Sequence, residues 1–329
     1  MNIYVTLDYE LFFGARSGSV DKCIIEPTEA LLKIVDPYNI KFVCFVDAGY
    51  LVQLERQKDQ FLELQNDYNK VTQQIRYLAD NGHGIELHVH PHWEDSYYDG
   101  RQWVFNTSRY KLSCFNQEEI LDIVTRYNNV LKRVLGKAPV AYRAGGWSAQ
   151  PFTPIKKALE KNNVFIDSTV YPNGYYNSAN QVFNFRGVLQ YKTEYNFSED
   201  ITKEDIHGSF KEIPISSFKL SPFFFWKFLI IKILKQKQHQ SYGDGFALGM
   251  DKKEALRLLT LPSYSVVSID GYKAKLLDKS FDKYIRKTSN SGNFVIIGHP
   301  KAFTPYSLKK ITSFIEKRSS EHKFVIYQG

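Results

Sequence analysis

The chain has 329 residues, 43% of them hydrophobic, 24% charged and 15% aromatic, with a formal net charge of +8. That is ample material for a packed core, and it excludes a disordered chain, a collagen-like repeat and a small disulfide scaffold. The positive balance favours anionic neighbours such as phospholipid headgroups or acidic glycans; no helix-turn-helix or RNA-recognition pattern adds nucleic acid to them.

In chain order, Asn2–Leu7 is an apolar run that ends at Asp8. It predicts a first strand rather than a signal peptide, which would need a charged start and a longer apolar core. Glu26–Val35 has Pro27 in its first turn and predicts a helix. Lys41–Val46 predicts a second strand, with Cys44 as a buried small hydrophobe. Cys23, Cys44 and Cys114 are too few and scattered for a disulfide framework, so the expected setting is reducing and cytoplasmic.

Leu54, Phe61, Leu64, Tyr68, Val71, Ile75 and Leu78 recur at intervals of seven, three or four. They predict one long amphipathic helix, an insertion at about 50–80, packed on a sheet or paired as a coiled coil. Gly82 and Gly84 end it, and Ile85–Val89 predicts a third strand. An aromatic-rich loop covers 93–115. Asn116 and Glu119 form a capping-box pattern for a helix running to Gly136.

Val140–Tyr142, Val164–Ile166, Glu212–Ile215, Phe294–Ile297 and Phe324–Tyr327 predict further strands. Pro151–Lys161, Asp251–Leu259, Leu276–Lys287 and Tyr306–Lys317 predict helices. No repeat, low-complexity tract or linker marks a boundary, so 1–329 is expected to be a single domain. The strand–helix alternation predicts a parallel α/β barrel or sheet. In such folds the chemistry gathers at the C-terminal strand ends.

Titratable residues collect at those ends. They are Asp8 and Glu10 after the first strand, His88, His90 and His92 around the third, then Arg143, Asp167 and His299 after later ones. Three histidines within five residues suit a borderline-soft divalent cation, or equally a polar loop without one. Past a strand end the chain turns, so His88 and His92 can converge. His90 is expected to point away from both, by the alternation of side chains in an extended segment.

Together these motifs resemble those of the polysaccharide deacetylase family, the NodB-type carbohydrate esterases. The family's Thr-Phe-Asp-Asp-Gly has its counterpart in Thr6-Leu7-Asp8-Tyr9-Glu10. Its histidine pair corresponds to His88 and His92 after Gly82-His83-Gly84-Ile85, its arginine motif to Arg143-Ala144-Gly145-Gly146, its later aspartate to Asp167 and its strand-ending histidine to His299. All five stand in the family's order across nearly the whole chain. Two departures are Tyr9 in place of the second aspartate, with Glu10 as the replacement ligand, and an arginine motif without its prolines.

The resemblance implies a distorted (β/α) barrel with insertions and an enzyme that removes an N-acyl group, acetyl by family, from an amino sugar. It implies a divalent metal, zinc by donor type, held by Glu10, His88 and His92. Asp8 would be the general base, paired with Arg143, and His299 the general acid, oriented by Asp167. A backbone N–H near Gly146 would stabilise the oxyanion, and Trp93, Trp103 and Trp147 would pack on a sugar face or in the core. The sugar could be polymeric, lipid-linked or nucleotide-linked, as in surface polysaccharide assembly. A deformylase, an inactive carbohydrate-binding relative and an amidohydrolase or phosphoesterase built on His88 and His90 remain the alternatives.

Pro222–Leu234 is a separate oddity, with ten large apolar residues in thirteen. No Asp or Glu occurs from Ile213 to Gly243, while Lys219, Lys227, Lys232, Lys235 and Lys237 do. Thirteen helical residues are too short to span about 30 Å of hydrocarbon. The stretch, with its basic flanks at about 219–239, predicts either a helix lying on an anionic membrane surface or a buried barrel helix.

Overall fold

The computed structural model describes residues 1–178, 180–249 and 251–329. Its frame is a curled sheet. The first strand, β1 (Asn2–Tyr9), pairs in parallel with β2 (Val43–Asp47), β2 with β3 (Gly84–Val89), β3 with β4 (Ala141–Ala144) and β4 with β5 (Ile166–Asp167). On the far side of β5 lies β7 (Phe210–Glu212), with β6 (Tyr195–Phe197) antiparallel beyond it. On the other edge β1 pairs in parallel with β8 (Asn293–Gly298), and the short β9 (Lys323–Phe324) fills the space beside its first residues. The central strands are continuous apolar runs because both faces are covered, as parallel sheets require.

The two edges meet through irregular chain rather than through a ninth regular pairing. Ile213 N–H donates to the Asp167 carbonyl at 2.9 Å and Ile215 N–H to that of Val170 at 2.8 Å. On its other side the same stretch bonds to β8, Ser216 N–H to the Val295 carbonyl at 3.0 Å. The return bond comes from a side chain: Val295 N–H donates to Ser216 Oγ at 3.0 Å. The ring is therefore closed but distorted. Further along the same edge of β8, Val267 and Ile269 bond to Ile297, which carries the residue after them, Asp270, to the same end of the barrel as His299.

Nine helices of eight or more residues are found among the described residues, and most pack outside the strands. The first, α1 (Glu26–Val35), starts where Pro27 predicts it. The expected single helix at 50–80 is two, α2 (Ala48–Gln57) and α3 (Leu62–Asp80). The seven-residue interval from Leu54 to Phe61 holds no apolar residue that could continue the stripe, and the helix breaks inside it. Within α3 the stripe Leu64, Val71, Ile75 and Leu78 is buried.

Next, α4 (Gln117–Leu135) packs on α2, α3 and β3. Its capping box forms as expected: Asn116 Oδ1 accepts from the N–H groups of Glu118 and Glu119, each at 3.0 Å, and Glu119 accepts from Asn116 N–H at 2.8 Å. Gly136 ends it at φ +74°, a left-handed position that disfavours a side chain. After α5 (Thr153–Lys161) come α6 (Pro222–Leu234) and α7 (Lys252–Thr260), which lean on each other and bury no residue of their own. The last two, α8 (Leu277–Lys287) and α9 (Pro305–Arg318), return to the barrel wall. No helix among the described residues is long and apolar enough to cross a membrane.

Ser216 is the weak point in the closure, because its hydroxyl does the work of a ladder carbonyl at a buried site. Ser216→Ala is expected to leave Val295 N–H unpaired and to cost about 1–3 kcal/mol, the usual penalty for a buried orphan donor. Equilibrium urea unfolding of the two proteins measures this directly.

Candidate active site

A strand's period of two decides which side chains meet. At the end of β1, Asp8 and Glu10 share one face and Tyr9 takes the other. The Tyr9 ring is buried toward α3, where its hydroxyl donates to Gln74 Oε1 at 2.9 Å. The residue that departs from the family motif thus lies outside the site, and the second carboxylate is Glu10. Register does the rest: Asp47 stands beside His88 and His88 beside Arg143.

Glu10 is the hub. Its Oε2 lies 3.2 Å from His88 Nε2 and 2.7 Å from His90 Nε2, and the two imidazole nitrogens are 3.1 Å apart. Its Oε1 accepts from Lys301 Nζ at 2.9 Å. Burial alone would raise the Glu10 carboxyl, but the charges of Lys301 and His90 and the bonds from both histidines hold it well below the usual carboxylate range. His88 Nδ1 faces the Arg143 carbonyl at 2.9 Å. That contact fixes the ring and turns Nε2 toward Glu10; burial would lower the imidazole, but the charges of Asp8 and Glu10 raise it.

These three residues form a buried constellation whose ligand atoms all lie within 4.8 Å of one another. Two imidazoles and one carboxylate are the donor set of a catalytic zinc site with an open position. The residues present therefore fit a divalent cation.

The third residue of that cluster is His90 and not His92, which corrects the expectation from sequence. The alternation argument fails on parity, since residues i and i+2 of an extended segment share a face, and His88 and His90 are such a pair. His92 lies past the turn, in a short 3₁₀ segment, Pro91–Asp95. Its ring is fully buried, stacked between Tyr110 at 5.4 Å and Trp93 at 5.6 Å, and neither ring nitrogen has a hydrogen-bond partner. Burial, reinforced by His90, pushes it well below the ordinary imidazole range, so it packs as a neutral aromatic.

Asp8 and His299 flank the cluster. Asp8 Oδ1 accepts from Arg143 Nη1 at 2.7 Å, while Oδ2 lies 3.8 Å from His88 Nε2 and 3.6 Å from His299 Nε2. Arg143 is fully buried, fixed by Nε to the Ser168 carbonyl at 2.7 Å and by its guanidinium over the Phe45 ring. His299 is partly exposed. Its Nδ1 is 2.8 Å from Asp270 Oδ2, and its backbone N–H donates to Asp270 Oδ1 at 2.7 Å. Burial would lower the His299 imidazole, but Asp270, helped by Asp8 and Glu10, raises it to about 9.

Asp270 therefore holds the place assigned to Asp167. The Asp167 carboxyl, on β5, points into the wall, where it accepts from Thr169 N–H at 2.6 Å and meets the carboxyl of Glu212. Burial pushes Asp167 up to about 6, and burial together with the Asp167 charge holds Glu212 well above the usual carboxylate range. Sequence reasoning missed Asp270 and Lys301. The run Val267–Ile269 ending in Asp270 has the same form as Val5–Leu7 ending in Asp8, whereas Lys301 lies in the 3₁₀ turn Pro300–Ala302 beyond His299, where no period-two signal marks it.

Trp93 and Trp103 are buried, Trp93 donating to Asp47 Oδ2 at 2.6 Å, so neither is open to a sugar. Trp147 is partly exposed. It follows Gly145, where an added Cβ would lie 2.5 Å from the His90 ring, and Gly146, whose carbonyl accepts from Gln181 at 2.7 Å. Of the three tryptophans only Trp147 borders the cluster with free surface.

No protein-family model matches the chain and no curated protein does. Solved structures similar to it include a protein assigned as a polysaccharide deacetylase from Mycobacterium smegmatis, at 18% identity over 98% of this chain and 87% of that one, with a TM-score of 0.47. Polysaccharide deacetylase Bc1974 from Bacillus cereus is similar at 10% identity over 99% and 92%, with 0.41, and the Puue allantoinase at 10% over 98% and 86%, with 0.49. TM-scores this low leave the activity to be argued from the site itself.

Two outcomes are expected from the geometry. His90→Ala should lower the zinc retained after dialysis, measured by plasma emission, whereas His92→Phe should retain it. The His299 ring should titrate near 9 by NMR and fall toward the ordinary imidazole value of about 6.5 in Asp270→Asn. Because its folded value is raised, this pairing stabilises the fold fully below about 6.5 and loses that effect as pH rises through 9.

Proposed function

We propose that this protein is a metal-dependent hydrolase that removes an N-acyl group, acetyl foremost, from an amino sugar, with zinc as its cation and a surface-polysaccharide precursor as its substrate class. The observation that carries this reading is the buried Glu10–His88–His90 cluster flanked on one side by an arginine-paired carboxylate and on the other by a carboxylate-paired histidine. Amide hydrolysis needs both: a base to take a proton from water and an acid to give one to the amine, which leaves poorly as an anion. A site that only bound sugar would need neither.

Glu10, His88 and His90 would hold the cation, whose chemistry is Lewis-acid polarisation of the acyl carbonyl and acidification of water. Arg143 occupies Oδ1 of Asp8 and leaves Oδ2 open toward the cluster, so the proton from water is taken there. His299, protonated through neutral pH by Asp270, gives its Nε2 proton to the sugar nitrogen as the C–N bond breaks. Water's oxygen leaves in the carboxylic acid and the sugar leaves as the amine. Lys301 offsets the charge of Glu10 and fixes its second oxygen. The edge of Trp147 is the surface on which a sugar ring would rest.

The test is release of acetate and formate from a panel of N-acyl sugars by the zinc-loaded protein. Acetate release supports the reading, formate release would shift it to a deformylase, and no release by metal-replete protein would overturn it. Asp8→Asn and His299→Ala should each retain zinc and lose roughly 10²–10⁴ in kcat/KM. His299→Ala should spare activated esters, whose leaving groups need no proton; equal loss on both substrate types would remove His299 from the acid role. The alkaline limb of the profile should fall near 9 and move to lower pH in Asp270→Asn.

A further inference from the structure

Helix α6 is the most unusual surface of the molecule. Of its ten large apolar side chains, seven are more than a third exposed, Phe223 and Ile233 to 65% and 68%. None of its residues is buried, which removes the barrel-helix alternative. A helix apolar on every side belongs in a protein interior or in lipid, and this one is in neither as the chain stands alone. The neighbouring α7 extends the patch with Leu256 and Leu261, exposed to 63% and 56%.

The helix is held in place rather than dangling. Trp226 donates its indole N–H to the Leu259 carbonyl at 3.0 Å, and Phe224 stacks on Tyr272 at 5.4 Å, at the base of α6. The outer side chains are thereby presented by a fixed support.

Charge identifies the occupant. Five lysines lie on or beside the helix, and no Asp or Glu occurs from Ile213 to Gly243. Lys227 and Lys232 place Nζ over the rings of Phe223 and Phe228, 4.6 and 5.8 Å from the ring centres. Their long stems let the ammonium groups reach lipid headgroups while the apolar side chains beside them enter hydrocarbon. A second copy would set the α6 lysines of one chain against those of the other, while the acids of the adjoining α7 are already engaged, Asp251 capping its own helix and Glu254 pairing with Arg257, and protein interface cores are depleted in lysine. Thirteen residues make a helix of about 20 Å, too short to cross about 30 Å of hydrocarbon. It lies in the plane.

We propose that α6, with the adjoining face of α7, docks this protein onto an anionic phospholipid bilayer, its aromatic and aliphatic side chains entering the acyl boundary and its lysines pairing with lipid phosphates. The inference stands whether or not the site hydrolyses an N-acyl sugar.

The experiment is co-sedimentation of the full chain with vesicles of phosphatidylcholine alone and of phosphatidylcholine mixed with phosphatidylglycerol. Pelleting with the mixed vesicles only, weakened as salt shortens the Debye length, is the expected result. The triple variant Ile230→Ser, Ile233→Ser, Leu234→Ser should bind at least tenfold less, and Lys227→Gln with Lys232→Gln should also weaken binding and flatten its salt dependence. All five positions are exposed, so circular dichroism and cooperative melting should match the parent. A folded parent that ignores anionic vesicles would overturn the proposal. A concentration-dependent dimer in sedimentation velocity that disappears in the triple variant would give the face to a second copy and overturn it too.

Discussion

A carboxylate buried at the end of the first strand constrains everything around it. An unpaired charge in such a place costs many kcal/mol, so it must be compensated. Glu10 finds its compensation in Lys301, His88 and His90, which come from chain segments after β8 and β3. Satisfying one anion therefore pins three strand ends to one point. The parallel register of the sheet makes this possible, because every strand delivers its C-terminal residues to the same side. The oxygens and nitrogens that neutralise Glu10 without a metal are the same atoms that would ligate one, apart from the lysine.

Around that point two carboxylate pairs are kept distinct by their partners. Asp8 faces a guanidinium that is always charged, so it stays an acceptor. Asp270 faces an imidazole and makes it a better proton holder. The two pairs meet beside the cluster, where Asp8 Oδ2 lies 3.6 Å from His299 Nε2. In the proposed mechanism one carboxylate takes a proton and the other helps a neighbour give one, a difference that their partners supply. Asp167, chemically identical, is removed from this division of labour because it is buried against Glu212.

The apolar helix touches the same machinery at one remove. Phe224 stacks on Tyr272, two residues from Asp270, the group that orients His299. If α6 docks as proposed, its support at Tyr272 lies in the same segment as Asp270, the partner of His299.

How much of this was legible in the sequence follows from what each signal measures. Short-range signals are complete in a few residues: the Asn116–Glu119 capping box, the Gly136 stop, the α1 boundaries and the apolar stripe of α3 are all visible in one dimension. Asp8, Glu10, His88, Arg143 and His299 were legible too, since a polar residue closing an apolar run marks a strand end. Partner choice was not. His90 replaces His92 because two-residue parity in the extended chain outweighs the turn beyond it. Asp270 replaces Asp167 because an irregular strand bonds to Ile297 along the open edge of β8, a pairing no local pattern records. Lys301 meets Glu10 across 291 positions for the same reason. Even the exposure of α6 needed the fold, since a run of apolar residues looks alike in a core and on a membrane face. Sequence by itself determined where the main strands end and which titratable residues, Asp8, Glu10, His88, Arg143 and His299, stand at those ends; the tertiary structure alone decided which partners they meet, because contact across a barrel depends on register and closure, and neither is a property of neighbouring residues.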